Sequence, residues 1–447
     1  MAFAIRRRES PGSCFEVSQV EMVANKRAFA NFGIVRGGMF YLSWVMHLPL
    51  PRALTALLLT TSLCSAATPP APATPDFSGI APKMQAFVDQ GHIAGVVTLV
   101  ATKDKILHLG AVGQSDIATS RKLQPDDMFW IASMSKPITA LAAAILVDDG
   151  KLSFDDPVEK YIPEFKNMWL AGGQANANPR VLTHPPRPIT VRDLLTHTSG
   201  LGEYVLTGLH WSLADMARVF SREPLRFAPG TRWAYSTSGL DMAGRVVEVA
   251  SGMPFDQFLQ KRLFDPLGMK DTSFWISQEN KSRYADTYML NSAGKLVHQE
   301  IHYLYGTEPT DHGRPPLGGA GLFSTAADIA KVYQMMLGNG SFNGKQIVKP
   351  ETVAEMLRKQ TGDLTARAGM PWGIGFCIIE DPTKMEANNI YSAGSFGHGG
   401  AFGTNSWADP KSGIIYIMML ELDKQGNPDN SPMRIEFQKA AAAALGQ

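Results

Sequence analysis

The segment that most constrains this chain is 138–147, an almost unbroken run of alanine, leucine, isoleucine and valine that stops at Asp148-Asp149-Gly150. A run this apolar on every side predicts a helix buried all round, closed by glycine at its C-terminus. Pro137 fits only if the helix starts just before it, because proline is tolerated in a first turn and not deeper. Ser133 and Lys136 of Phe129-Trp130-Ile131-Ala132-Ser133-Met134-Ser135-Lys136-Pro137 then fall in that first turn. Residues three apart share a face, so the amine lies beside the hydroxyl, and the unpaired N–H groups of the turn favour nearby negative charge. A weak nucleophile, an adjacent base and backbone donors are what acyl transfer to serine requires. Ser-x-x-Lys alone does not decide between that chemistry and an ordinary N-cap serine. A second copy, Ser292-Ala293-Gly294-Lys295, follows Asn291, contains glycine and predicts a surface turn between strands.

Around this helix the pattern predicts a helix over 76–90 and a hairpin of strands 95–101 and 106–112. Ser/Thr-x-x-Asp patterns mark helix starts at Ser153, Thr190, Ser212 and Thr325. Strands return over 372–380, 404–408 and 414–422, the last two flanking the turn Asp409-Pro410-Lys411-Ser412-Gly413, and 432–445 closes as a helix. Strands at both chain ends with helices between them imply a mixed α+β fold. Its mixed part draws on about 76–130 and 340–445, and a mainly helical part over about 131–339 is inserted. Two long loops, 172–188 and 302–321, are candidates to rim a site.

The first 67 residues read as targeting sequence. Arg52, an apolar core over 53–63 and Ser65-Ala66-Ala67 have the order of a secretory signal peptide cleaved near Ala67, with Met39 or Met46 as a natural start. Residues 1–67 are therefore expected to be leader, 68–75 a proline-rich linker, and 76–445 the folded, exported part, periplasmic or secreted. A lipoprotein anchor on Cys64 fits less well behind bulky Leu63. Cys377 alone of the three cysteines lies in the folded part, so no internal disulfide is expected there. A formal net charge of +1 gives no footprint for nucleic acid, and no stretch of eighteen apolar residues predicts a membrane span. No His-Glu-x-x-His or paired-cysteine spacing points to a metal, and the glycines near 397 miss the dinucleotide fingerprint, so no cofactor is expected.

Two further stretches carry chemistry. Tyr235 sits on a polar loop before a helix expected to start near Leu240, and a tyrosine close to a lysine can shuttle a proton. In Gly394-Ser395-Phe396-Gly397-His398-Gly399-Gly400-Ala401-Phe402-Gly403, five glycines surround His398 ahead of a strand. Glycine there permits close approach to the backbone, and His398 is a candidate to bond substrate or to tune the Tyr235 and Lys136 protons. Ala393-Gly394-Ser395-Phe396-Gly397 approximates a nucleophile elbow, but more glycine and a strand follow Ser395 where a helix is required. His184, His197, His302 and His312 read as ordinary loop or capping residues.

Ser133-x-x-Lys136, Tyr235-x-Thr237 and His398-Gly399-Gly400 together resemble the three motifs of the serine β-lactamase and penicillin-binding-protein superfamily, nearest its class C and family VIII carboxylesterase branch. Leu194-Leu195-Thr196-His197-Thr198-Ser199-Gly200-Leu201, Pro266-Leu267-Gly268-Met269 and Gly318-Gly319-Ala320-Gly321-Leu322-Phe323-Ser324-Thr325 extend the likeness over roughly 76–445. The resemblance implies Ser133 as nucleophile, Lys136 and Tyr235 as proton carriers, the backbone N–H groups of Ser133 and Ala401 as oxyanion donors, and Thr237, His398, Gly399 and Gly400 at the substrate. Thr237 replaces the asparagine usual in lactamases, and His398-Gly399-Gly400 replaces Lys-Thr-Gly, losing a fixed cation. The expectation is an ester-cleaving serine hydrolase with weak lactamase activity. The alternatives are a lactamase, a D-amino-acid peptidase or amidase, and a silent binder of cell-wall peptides.

Overall fold

A computed structural model of the chain describes residues 74–447, apart from 173–180, 204–209, 305–306, 365–366, 386–389 and 425–429 and the Tyr303 side chain. The leader, its Cys14 and Cys64, and most of the linker lie outside the described residues.

A seven-stranded antiparallel sheet is assembled from both ends of the chain. In chain order its strands are β1 (Gly95–Thr102), β2 (Ile106–Asp116), β3 (Arg121–Lys122), β4 (Cys377–Ile378), β5 (Phe396–Gly399), β6 (Asn405–Asp409) and β7 (Ile414–Met419). The spatial order is β4-β5-β6-β7-β1-β2-β3, so the first and last strands of this sheet in chain order pair near its centre, with Leu99 opposite Ile417. Both central strands are apolar without alternation because both sheet faces are covered. Val97, Leu99, Ala101, Ile415, Ile417 and Met419 belong to one core. Their sequence neighbours Val96, Val100, Ile414, Tyr416 and Met418 belong to another, as a period of two requires. Helices α1 (Ile80–Asp89) and α7 (Pro432–Ala444) cover the second face, and α6 (Ala326–Leu337) covers the first.

Helix α2 (Ser135–Asp148) is buried at every position from Ser135 to Leu146 and packs on α5 (Thr237–Ser251). It ends as expected, with Gly150 at φ +69° just beyond. Thr190, Ser212 and Thr325 cap α3 (Val191–Leu195), α4 (Leu213–Phe220) and α6 through the N–H three residues on. The same pattern at Ser153 closes only a turn, in which the Asp156 carboxylate accepts from the Ser153 N–H; Pro157 disfavours helical backbone at Asp156. The strand expected over 372–380 shrinks to two residues, since Gly373 donates to Phe376 O in a tight turn that needs Gly375 at φ +76°. Ser292 to Lys295 form the expected turn between Tyr288–Leu290 and Leu296–His298. Cys377 is buried and is in no disulfide among the described residues. Among the described residues no helix is long and apolar enough to cross a membrane.

Candidate active site

Ser133 lies on a single 3-10 turn, Ala132–Met134, that runs directly into α2. Ala132 holds φ +46°, a left-handed conformation that costs a non-glycine residue about 1–3 kcal/mol and that packing on either side must sustain. The Ile131 N–H donates to Leu322 O and the Leu322 N–H to Ser135 Oγ, so the turn is pinned from behind. Ser133 stays half-buried whereas Lys136 is sealed in. Lys136 Nζ stands 3.0 Å from Ser133 Oγ and donates to Gly319 O at 2.7 Å. Burial lowers the Lys136 pKa to about 8, against the opposing pull of the Glu203 and Asp241 carboxyls.

Tyr235 is delivered from the other side. Ser236 caps α5 through the Gly239 N–H, which turns the residue before it toward α2, and Lys136 Nζ lies 4.6 Å above the Tyr235 ring centroid. The Tyr235 ring is stacked on His197, with centroids 4.5 Å apart and planes 29° apart, while Trp372 meets His197 edge-on at 4.6 Å. His197 is therefore no ordinary loop residue. It is buried at φ +63°, and its Nδ1 accepts from the Ser236 N–H at 3.0 Å, which puts the ring proton on Nε2. Burial, then the charges of Lys136 and His398, hold its pKa well below the usual histidine value, so the ring is neutral. Its clue in the sequence was the stretch Leu194-Leu195-Thr196-His197-Thr198-Ser199-Gly200.

His398, on β5, joins the same aromatic group, 5.3 Å from Trp372 and 6.2 Å from Tyr235 between ring centroids. Its Nδ1 donates to Gly399 O at 2.7 Å. The glycines around it have a use that the sequence did not disclose. A Cβ on Gly400 would stand 2.7 Å from Ile131 O and 2.0 Å from Thr404 Oγ1, so the turn after β5 is pressed against the strand leading to Ser133. Thr404 Oγ1 donates to that same Ile131 carbonyl at 3.3 Å. Ala401 is exposed at the tip of this turn, which Gly403 N–H to Gly400 O closes. Thr237 opens α5, and its N–H is taken by the Glu203 carboxylate. Glu203 keeps solvent-accessible surface, yet the groups packed about its carboxyl desolvate it and push its pKa up.

Asp241, one turn along α5, is the second residue that the sequence did not single out. It is buried, its Oδ1 accepts from the Gly319 N–H at 2.8 Å, and burial raises its pKa to about 7. Ser395 stands apart from this group: its hydroxyl is buried without a hydrogen-bond partner, and β5 follows it directly. The arrangement can take a proton from a serine hydroxyl at near-neutral pH inside a cage of aromatic rings.

Comparison with known proteins gives this geometry its setting. Residues 80–439 match the sequence profile of the family described as Beta-lactamase. Esterase EstB of Burkholderia gladioli is 29% identical over 408 residues, covering 82% of this chain and 96% of EstB. Lovastatin esterase of Penicillium rubens is 33% identical over 326 residues, covering 67% of this chain and 79% of the esterase. In three dimensions, EstCE1, described as a hydrolase with promiscuous acyltransferase activity, superimposes with a TM-score of 0.71 at 23% identity. It covers 81% of this chain and 97% of its own, and at that identity the likeness speaks for the fold.

Proposed function

The chain belongs to the β-lactamase family, in the serine β-lactamase and penicillin-binding-protein superfamily near the family VIII esterases, and from that premise we propose that it is an exported carboxylesterase acting through an acyl-serine. Ser133 Oγ attacks the ester carbonyl as its proton passes to the Lys136–Tyr235 pair. The alkoxide leaves with a proton returned by that pair, and water then releases the acid by the same steps in reverse. The N–H groups of Ser133 and Ala401 are the oxyanion donors in this reading, and Thr237, His398, Gly399 and Gly400 border the substrate. The observation that carries it is the buried Lys136 amine 3.0 Å from Ser133 Oγ, with a pKa brought down to about 8. Ser133 does not serve as an N-cap of α2, whose N-cap position is Met134 with no side-chain cap bond.

Small or medium acyl esters are favoured over lactams and D-peptides by charge. Those competitors present a carboxylate, which a lysine in the third motif would meet; here that position is His398. Glu203 and Asp241 add acidic groups around Lys136. The esterases among the relatives support the same substrate class. Export rests on the signal-peptide pattern of residues 52–67. The test is turnover of p-nitrophenyl butyrate, nitrocefin and a D-Ala-D-Ala peptide in parallel, with Ser133→Ala as control. Fast ester cleavage lost in the variant supports the reading, and faster nitrocefin or peptide turnover overturns the choice of substrate.

A further inference from the structure

Gly318-Gly319 has no place in a nucleophile, base and oxyanion account, yet it is held from several directions. Thr139 Oγ1, from α2, donates to Gly318 O at 2.7 Å, and Lys136 Nζ, one turn earlier on the same helix, donates to Gly319 O at 2.7 Å. From α5, Asp241 Oδ1 accepts the Gly319 N–H at 2.8 Å. A Cβ at Gly318 would stand 2.6 Å from Leu240 O, and one at Gly319 would stand 2.6 Å from Thr237 O, so the loop is pressed onto the first turn of α5. One peptide unit thus has its N–H on a carboxyl group and its C=O on the amine that faces Ser133.

We propose that Asp241 is a positioning residue for the proton acceptor, fixing Lys136 through the Gly319 peptide and supplying the negative charge that keeps its ammonium form accessible inside the protein. The proposal rests on the acyl-serine reading above. A buried lysine with only a hydroxyl and a carbonyl to meet would be held as the neutral amine and would bind the serine proton weakly. A carboxylate on the far side of a polarised peptide opposes this, since hydrogen bonds in a chain strengthen one another and opposite charge favours the ammonium. The groups facing Lys136 come from several elements: Ser133 before α2, His197 after α3, Glu203 beyond it, Tyr235 and Asp241 at the start of α5, and His398 on β5. His197 is neutral, and Glu203, whose charge acts on Lys136 more strongly than that of Asp241, is tied to the Thr237 N–H; Asp241 is the carboxyl joined to Lys136 through a continuous hydrogen-bonded path and adds to the Glu203 charge.

The sign of the effect separates charge from scaffolding. Asp241→Asn keeps an oxygen for the Gly319 N–H and removes only the charge, so the ammonium loses support and the lysine is neutral at lower pH. Asp241→Leu removes both. The experiment follows the p-nitrophenyl butyrate acylation burst of the full chain between pH 5.5 and 9.5, with thermal melting to verify folding. The expected result, read above about pH 7 where Asp241 is ionised, is an acid limb moved down by about one pH unit or more in Asp241→Asn. In Asp241→Leu, acylation falls tenfold or more across the range with KM little changed. An Asn variant whose limb coincides with wild type, or a folded Leu variant acylating at the wild-type rate, overturns the proposal. Ser133→Ala is run alongside: if it still shows a burst, the acyl-serine reading itself fails, whereas a silent Ser133→Ala with an unmoved Asp241→Asn limb removes only the role of Asp241.

Discussion

Gly319→Ala is the smallest change that disturbs the lysine without touching it. The added methyl would lie 2.6 Å from Thr237 O and Thr237 Cγ2 and 3.2 Å from Asp241 Oδ1, where ordinary contacts begin at 3.4 Å. Thr237 is the first residue of a fifteen-residue helix, so its carbonyl is backbone that cannot swing aside, and the loop must retreat by about 0.8 Å. That takes the Lys136 to Gly319 carbonyl distance from 2.7 Å toward about 3.5 Å, beyond hydrogen-bond range. A hydrogen bond to a charged donor contributes roughly 1.5–3 kcal/mol. Above about pH 8 the lysine becomes ammonium only as Ser133 attacks, so at about pH 9 the loss falls on the transition state, and acylation there should slow about 10- to 150-fold. The assay is burst kinetics with p-nitrophenyl butyrate on the full chain, with kcat and KM resolved and folding verified by thermal melting. The expected signature is a fall in kcat with KM within about twofold of wild type. A folded Gly319→Ala protein with unchanged kcat would refute the claim that this carbonyl anchors Lys136.

Three other outcomes are expected. Because burial lowers the Lys136 pKa to about 8 and the neutral amine is the proposed acceptor, wild-type acylation should rise about tenfold per pH unit below that value and level off above it; a flat profile from pH 6 to 9 would contradict the assignment. Tyr235→Phe keeps the ring beneath Lys136 and removes the phenol, and stopped-flow acylation should be slower by about two orders of magnitude or more. Ser395→Ala deletes a buried hydroxyl that has no partner, so turnover should match wild type and the melting temperature should hold or rise, whereas an inactive variant would relocate the nucleophile.

Most of the sheet was legible because its signals are local. The hairpin after residue 95 and the pair around Asp409-Pro410 announce themselves by apolar runs and turn residues, and α2 by ten residues with almost nothing polar. The 372–380 segment has the same apolar look, but two glycines let it curl back on itself, and Ser153 has a cap pattern with a proline placed to stop the helix. In the site, Ser133 and Lys136 were readable from their spacing, although Ser133 sits on the 3-10 turn that leads into α2 rather than in its first turn, and Tyr235 and His398 are brought to them by folding. Glu203 and Asp241 were not legible, and His197 and Gly319 stood out only as members of motifs with no role attached. What sets each apart is a partner far along the chain or burial of a charge, and neither leaves a local mark. Asp241 looks like any aspartate in an amphipathic helix until the glycine loop closes over it, with Gly319 78 positions further along the chain. Helix α5 also begins earlier than expected, at Thr237, because Ser236 caps it and brings Tyr235 in close.

The account stands on a covalent bond at Ser133, and the most direct measurement is where an acyl-like group attaches. The full chain would be treated with a fluorophosphonate, digested, and the labelled peptide sequenced by mass spectrometry, with Ser133→Ala in parallel. The predicted result is a single adduct on Ser133, formed with the same pH dependence as ester turnover and absent from the variant. An adduct on Ser395 or another serine, or an unlabelled Ser133 in a protein that still cleaves p-nitrophenyl butyrate, would contradict it.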